Sequence, residues 1–142
     1  MKIEFFNKYK FKIKTVSALS KILSKKKKKT VMCHGVFDVL HYGHIAHFKE
    51  AKKNGDVLVV SLTENKFVNK GPDRPLFDSL IRAKSLLALQ SIDFVIISRD
   101  FDCINTLKKI KPNYFVKDIE LSLIHISEPT RRYAISYAVF CL

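Results

Sequence analysis

The sequence predicts a doubly wound α/β domain built on a parallel sheet, and three observations predict it. Apolar runs at residues 31–33, 57–60, 94–97 and 114–116 are continuous, as strands buried on both faces are. Segments with apolar residues at helical spacing separate them. Turn residues punctuate the joints. Strand runs alternating with helices of about ten residues make parallel βαβ units.

The elements follow in order. Val31-Met32-Cys33, between a lysine block and Gly35, is the first strand. Ile45, Phe48 and Ala51 mark a helix, with Asn54-Gly55 as its C-cap pair. Residues 57–60 form the second strand, and the turn-rich stretch at 69–75 follows. Asp78 caps a helix whose apolar face is Leu80, Ala83 and Leu87. Residues 94–97 form the third strand. Asp102 caps a helix using Cys103, Leu107 and Ile110, with Lys108, Lys109 and Lys111 near its end and Pro112 after it. Residues 114–116 form the fourth strand.

Composition narrows the class. The 142 residues, 47% hydrophobic, suffice for one packed domain. No apolar run approaches the roughly 20 residues of a membrane span. The first residues interleave Lys with Phe and hold no signal-peptide core. Three scattered cysteines, Cys33, Cys103 and Cys141, suit neither a disulfide framework nor a C-x-x-C site, so a cytoplasmic location is expected. With four glycines and neither G-x-G-x-x-G nor G-x-x-x-x-G-K, the dinucleotide fingerprint and the P-loop are excluded.

The net charge of +13 is unevenly placed. Residues 1–30 hold eleven Lys and one acid, Glu4, whereas residues 31–120 hold thirteen basic and eleven acidic residues. A basic arm over residues 1–29 is therefore expected to precede a domain over residues 30–120. Such an arm can hold RNA or an anionic membrane, but blocks of like charge usually repel and stay loose, so a solvated leader is the simpler expectation.

The chemistry concentrates in one stretch. His34, His41, His44 and His47 lie between a strand end and a helix start, where backbone amides make an anion site. Gly35 lets the backbone approach a phosphate, and Gly43 keeps the helix start open to a ligand. His41 and His44, three apart, share a face and can hydrogen-bond phosphate oxygens. No Cys or carboxylate is spaced to complete a zinc set with His41, His44 and His47, so no resident metal is expected. His34 and His47 are expected to be core histidines.

The run Gly35-Val36-Phe37-Asp38-x-x-His41-x-Gly43-His44 resembles the G-x-F-D-x-x-H-x-G-H signature of the cytidylyltransferase-like nucleotidyltransferases. The stretch 70–75 (Lys-Gly-Pro-Asp-Arg-Pro) and Lys111-Pro112-x-x-Phe115-Val116-Lys117 resemble the heptose adenylyltransferase branch, with the glycerol-phosphate cytidylyltransferases close by. The resemblance runs from about Thr30 to Glu120. It implies a Rossmann-like nucleotidyltransferase fold. It also implies transfer of a nucleoside monophosphate from ATP or CTP to a phosphorylated sugar or polyol, with Mg²⁺ accompanying the triphosphate. His41, His44 and Lys52 are the implied catalytic residues. Gly35, Val36, Phe37, Asp38 and Gly43 are implied at the nucleotide, and Arg82 at the acceptor phosphate. Val36 stands where relatives often have Cys or Thr, and Asp118-Ile119 replaces an expected glycine. A fused sugar-kinase domain in the full gene and a homodimer are further implications. The other class of reading is a non-catalytic nucleotide-binding module whose basic arm recruits RNA or anionic membrane.

Residues 121–142 break the rhythm. LSLIHISEPTR and ISYAVFCL resemble the conceptual translation of a transposase sequencing adapter. The domain is thus expected to be truncated after Glu120, with a non-native tail that carries no function.

Overall fold

The computed structural model describes residues 10–100, 103–116 and, for the backbone alone, 123–125. The expectations placed on residues 1–9, Asp102, Lys117, Asp118-Ile119, Glu120 and most of the tail lie outside the described residues.

Five strands are parallel: β1 (Ile13–Lys14), β2 (Thr30–Gly35), β3 (Val57–Thr63), β4 (Phe94–Ser98) and β5 (Tyr114–Val116). A sixth, β6 (Leu123–His125), pairs antiparallel with β5. The spatial order is β1-β4-β3-β2-β5-β6. Pairing of β6 asks only for backbone and β-propensity at an open edge, so it says nothing of the origin of the tail.

Helices cover both faces: α1 (Val16–Lys25), α2 (Tyr42–Lys52), α3 (Ser79–Leu87) and α4 (Ile104–Ile110). The strand alternation sorts the two layers. Val31 and Cys33 of β2 pack with Phe48, Ala51, Ala83 and Leu86 of α2 and α3. Met32, between them, packs in a second cluster with Leu19 of α1 and Leu107 and Ile110 of α4. This two-sided burial is why the strand runs are continuous in sequence. From β2 the chain winds outward through β3 and β4, then returns to place β5 on the other side of β2. The crevice at the carboxyl end of β2 is therefore a topological switch point, where such sheets bind ligands.

The reading of residues 1–29 as a loose leader is corrected for residues 10–25. Ile13 pairs with Val95 and Lys14 with Ile96. Thr15 caps α1 through the Ala18 N–H, Leu19 is fully buried, and the Ser20 hydroxyl donates to the Lys109 carbonyl at 2.8 Å. Val16, Leu19 and Leu23 sit at helical spacing, but lysines on the same stretch masked the pattern.

Two smaller expectations also change. Leu80 is 44% exposed, and the buried face of α3 is Arg82, Ala83, Leu86 and Leu87. Gly55 is not a left-handed cap, because α2 is capped by Lys53 and the one positive-φ glycine of the described residues is Gly71. Gly55 answers a close approach instead: a Cβ there would meet Val31 Cγ2 at 2.7 Å and the Lys29 carbonyl oxygen at 2.9 Å.

Candidate active site

The turn leaving β2 at Gly35 carries the histidines to the start of α2. His41 is the N-cap of that helix, and its Nδ1 accepts from the Gly43 N–H at 3.1 Å. His44, one turn on, accepts from the His41 N–H at its own Nδ1, at 3.3 Å. The two rings lie 3.9 Å apart between centroids. An Nδ1 that accepts from an amide is unprotonated, so each neutral ring carries its proton on Nε2. The helix start thus presents a pair of imidazoles, each with an Nε2–H able to donate to an anionic oxygen.

The loop before them is held from two sides. Phe37 has a φ of 47°, a left-handed conformation uncommon for a bulky residue, and its ring packs edge-on against His44 at 5.5 Å and Phe48 at 5.1 Å. The Asp38 carboxylate accepts from the Leu76 N–H at 2.8 Å, the Phe77 N–H at 3.1 Å and Arg74 at 3.2 Å. Burial pushes the Asp38 pKa up, but the two amides and Arg74 outweigh it and hold the carboxyl below its usual 3.8.

Arg82 makes the second hold. It is 1% exposed and donates to the Val36 carbonyl at 2.7 Å, the Phe77 carbonyl at 2.8 Å and Asn65 Oδ1 at 2.7 Å. Burial lowers the Arg82 pKa, opposed by the carboxylates of Asp38 and Asp78. Asn65 in turn donates to Asp78, which caps α3 through the Leu80 N–H. The loop at residues 35–38, the stretch 65–78 and the start of α3 are one hydrogen-bonded assembly.

Comparison with known proteins agrees with this geometry. The cytidylyltransferase-like family model matches residues 32–127. The chain belongs to the cytidylyltransferase-like family. It is 38% identical over 119 residues to the bifunctional protein HldE of Campylobacter jejuni subsp. doylei, covering 81% of this chain and 26% of that protein. It is 40% identical over 111 residues to the bifunctional protein HldE of Geobacter metallireducens, covering 75% of this chain and 23% of that protein. The chain thus spans about a quarter of the length of these relatives. Among solved structures, the lipopolysaccharide core biosynthesis protein of Thermoplasma volcanium superposes with a TM-score of 0.59 at 34% identity, over 63% of this chain and 74% of that one.

Within this cytidylyltransferase-like site, three assigned roles are corrected. Lys52 ends α2, eight residues past His44 and so about 12 Å along the helix axis. There its Nζ donates to the Asp56 carbonyl and pairs with Asp93, at the opposite end of the sheet from the histidines. Arg82 does not face an acceptor, since it is buried holding the Val36 carbonyl. Gly35 is packed on its Cβ side, where a Cβ would meet the Phe37 ring at 2.8 Å. Gly43 does not keep the helix start bare, because the His41 ring folds over it and a Cβ would meet that ring at 2.9 Å. Both glycines serve the family motif by making room for its own aromatic side chains.

His34 stands at the end of β2 with Nδ1 3.0 Å from the Ser61 hydroxyl, and His47 is buried beside Phe48. The roles of Asn65, Arg74 and Asp78 in holding the loop were missed by sequence reasoning. The turn chemistry of residues 69–75 marked a loop there, but nothing in its spacing tied that loop to Asp38. Among the described residues no three His, Cys, Asp or Glu are grouped to hold a metal, and Cys33 and Cys103 are buried. No helix there is long and apolar enough to cross a membrane.

Proposed function

We propose that the protein transfers a nucleoside monophosphate from ATP or CTP to a phosphorylated sugar or polyol, releasing pyrophosphate. The observation that carries this reading is the pairing of His41 and His44 at the carboxyl end of β2, with both Nδ1 atoms accepting from backbone N–H groups, so that the donor of each neutral ring is its Nε2–H. Donors fixed in that way stabilise charge that builds on phosphate oxygens, with little reorganisation at the moment of transfer.

In the reaction, an oxygen of the acceptor phosphate bonds to the α-phosphorus. The bond from that phosphorus to the bridging oxygen of the β-phosphate breaks, and the electron pair leaves with pyrophosphate. The acceptor is already ionised, so positioning and electrostatics supply most of the catalysis. Mg²⁺ fits as a companion of the triphosphate. Its preference for phosphate oxygens and water needs no protein cage, and the Asp38 carboxylate is engaged with Leu76, Phe77 and Arg74.

The HldE relatives favour adenylyl transfer to a sugar phosphate as the first choice. Their bifunctional description supports a sugar-kinase domain on the same polypeptide in the full gene, and the scattered cysteines suit a cytoplasmic site of action. A homodimer is favoured by Val39, Tyr42, Leu76, Phe77, Leu80 and Ile81, apolar residues 44–82% exposed around the Asp38 hold. A screen of triphosphates against sugar and polyol phosphates, scored by pyrophosphate release, tests the proposal. Turnover with one pair, abolished by His44→Ala, is the expected result. Triphosphate binding with no release for any pair would favour the non-catalytic module instead.

A further inference from the structure

In a parallel sheet every segment that leads into a strand reaches it at the same end. Three lysine groups, far apart in sequence, do so here. Lys10 and Lys12 lead into β1, Lys25 to Lys29 lead into β2, and Lys108, Lys109 and Lys111 lead into β5. All of these except the half-buried Lys12 are exposed. The fold gathers them at the amino end of the sheet, opposite the His41–His44 turn.

The three segments are one-signed. Residues 10–29 and 103–116 contain no Asp, Glu or Arg. The acids at this end have local partners: Glu50 pairs with Lys53, Asp93 with Lys52, and the Asp56 carboxylate accepts from the Lys29 N–H. The helix macrodipoles account for Lys25, Lys108 and Lys109, which lie in last turns. They do not account for Lys27 to Lys29, which lie beyond the C-cap of α1. A groove of about 340 Å³ between the end of α1 and α4 is lined by Lys28, Lys109 and Lys111 with Ser20, Ser24 and Asn113. It offers ammonium groups and the Asn113 amide to a phosphate, while the Ser20 and Ser24 hydroxyls donate to the Lys109 and Lys21 carbonyls.

We propose that this lysine pole docks the protein on an anionic membrane surface, with lipid phosphate headgroups against the α1–α4 groove. Two features favour lipid over nucleic acid. Lysine is a compact point charge suited to a diffuse anionic plane, whereas the fork of arginine, which reads bases and stacks on them, is absent. Phe11, 62% exposed between Lys10 and Lys12, supplies an apolar side chain among the cations. Docking by this end leaves the histidine turn facing water. The inference is independent of the reaction proposed above, because it uses none of the residues of that site.

The test is co-sedimentation of the full chain with vesicles of phosphatidylcholine alone, or of phosphatidylcholine with phosphatidylglycerol. Binding to the mixed vesicles only, reversed by salt, is expected. Lys27→Gln/Lys28→Gln and Lys108→Gln/Lys109→Gln should each lower partitioning about twenty-five-fold, near fivefold per lysine, the first pair with an unchanged thermal melt and the second with a small fall from the lost helix-end charges. Phe11→Ser should weaken it further. Equal binding to neutral vesicles, or no effect of the Lys108/Lys109 pair, would overturn the proposal. Displacement of the protein from vesicles by oligouridylate at equal phosphate concentration would overturn it in favour of RNA.

Discussion

The rings of His41 and His44 stand 3.9 Å apart, and the backbone N–H of His41 donates to the Nδ1 of His44. Each histidine is thereby both a capping residue of α2 and a neutral ring whose donor is its Nε2–H. The two duties can be separated by substitution.

His41→Ala and His44→Ala should each lower turnover roughly 10²–10³-fold, the scale of one fixed donor to a developing charge. His41→Ala should also cost about 1 kcal/mol of stability through the lost cap. His41→Asn keeps a capping oxygen and loses the imidazole donor, so its melting temperature should hold while its turnover falls as far as in His41→Ala. Pyrophosphate release and thermal melts of the three variants check this. Recovery of turnover in His41→Asn would mean that capping is the whole role of His41.

Arg82 should behave as a positioning residue. Arg82→Met leaves the carbonyls of Val36 and Phe77 and the amide of Asn65 without their buried donor. A cost of about 3 kcal/mol is expected, since each abandoned buried group forfeits a hydrogen bond to a charged partner. Triphosphate affinity should fall as well, because Val36 belongs to the histidine turn. Denaturant titration alongside binding in the folded protein distinguishes this from direct contact with the acceptor. A loss confined to the acceptor KM, with stability intact, would restore the acceptor role.

Asp38 links stability to pH. Its carboxyl is held below the usual 3.8 in the folded chain, so the carboxylate is the favoured form there. The contribution is present in full above the unfolded value and is lost as pH falls through the lower folded value. Asp38→Asn should therefore be less stable than the parent at neutral pH. The gap should narrow on acidification below 3.8. Thermal melts across that range give the comparison, and a gap independent of pH would show that the charge of Asp38 contributes nothing.

What was legible in the sequence follows from what each residue encounters. The four strand runs were readable because burial on both faces leaves no polar position within them. The histidine turn was readable because its glycines and aromatics occur at fixed spacing on a strand–turn–helix. The reason for that spacing was not readable. Gly35 and Gly43 make room for Phe37 and His41, a tertiary fact with no local signature. Arg82 and Lys52 misled for the same reason: a basic residue on a helix near a phosphate motif looks like a ligand until its partners are seen. α1 was missed because Lys21 and Lys25 lie within it and the run Lys26 to Lys29 follows it, although Val16, Leu19 and Leu23 carry the period.

The N-terminal segment gives the last prediction. Had residues 1–29 been a solvated leader, changes there would leave stability untouched. Leu19 is instead fully buried against Met32, Leu107 and Ile110, and α1 is further fixed by the Ser20 bond to the Lys109 carbonyl. Leu19→Ala should cost about 2–5 kcal/mol, as truncations of buried leucines do. Deleting residues 1–14 removes β1, its pairing with Val95 and Ile96, and the packing of Ile13 on the core. It also exposes the β4 edge, so the deletion should lower the melting temperature and promote association between copies. Thermal melts and light scattering of both variants against the full chain decide it. A Leu19→Ala variant that melts with the parent would return α1 to the status of a detachable leader.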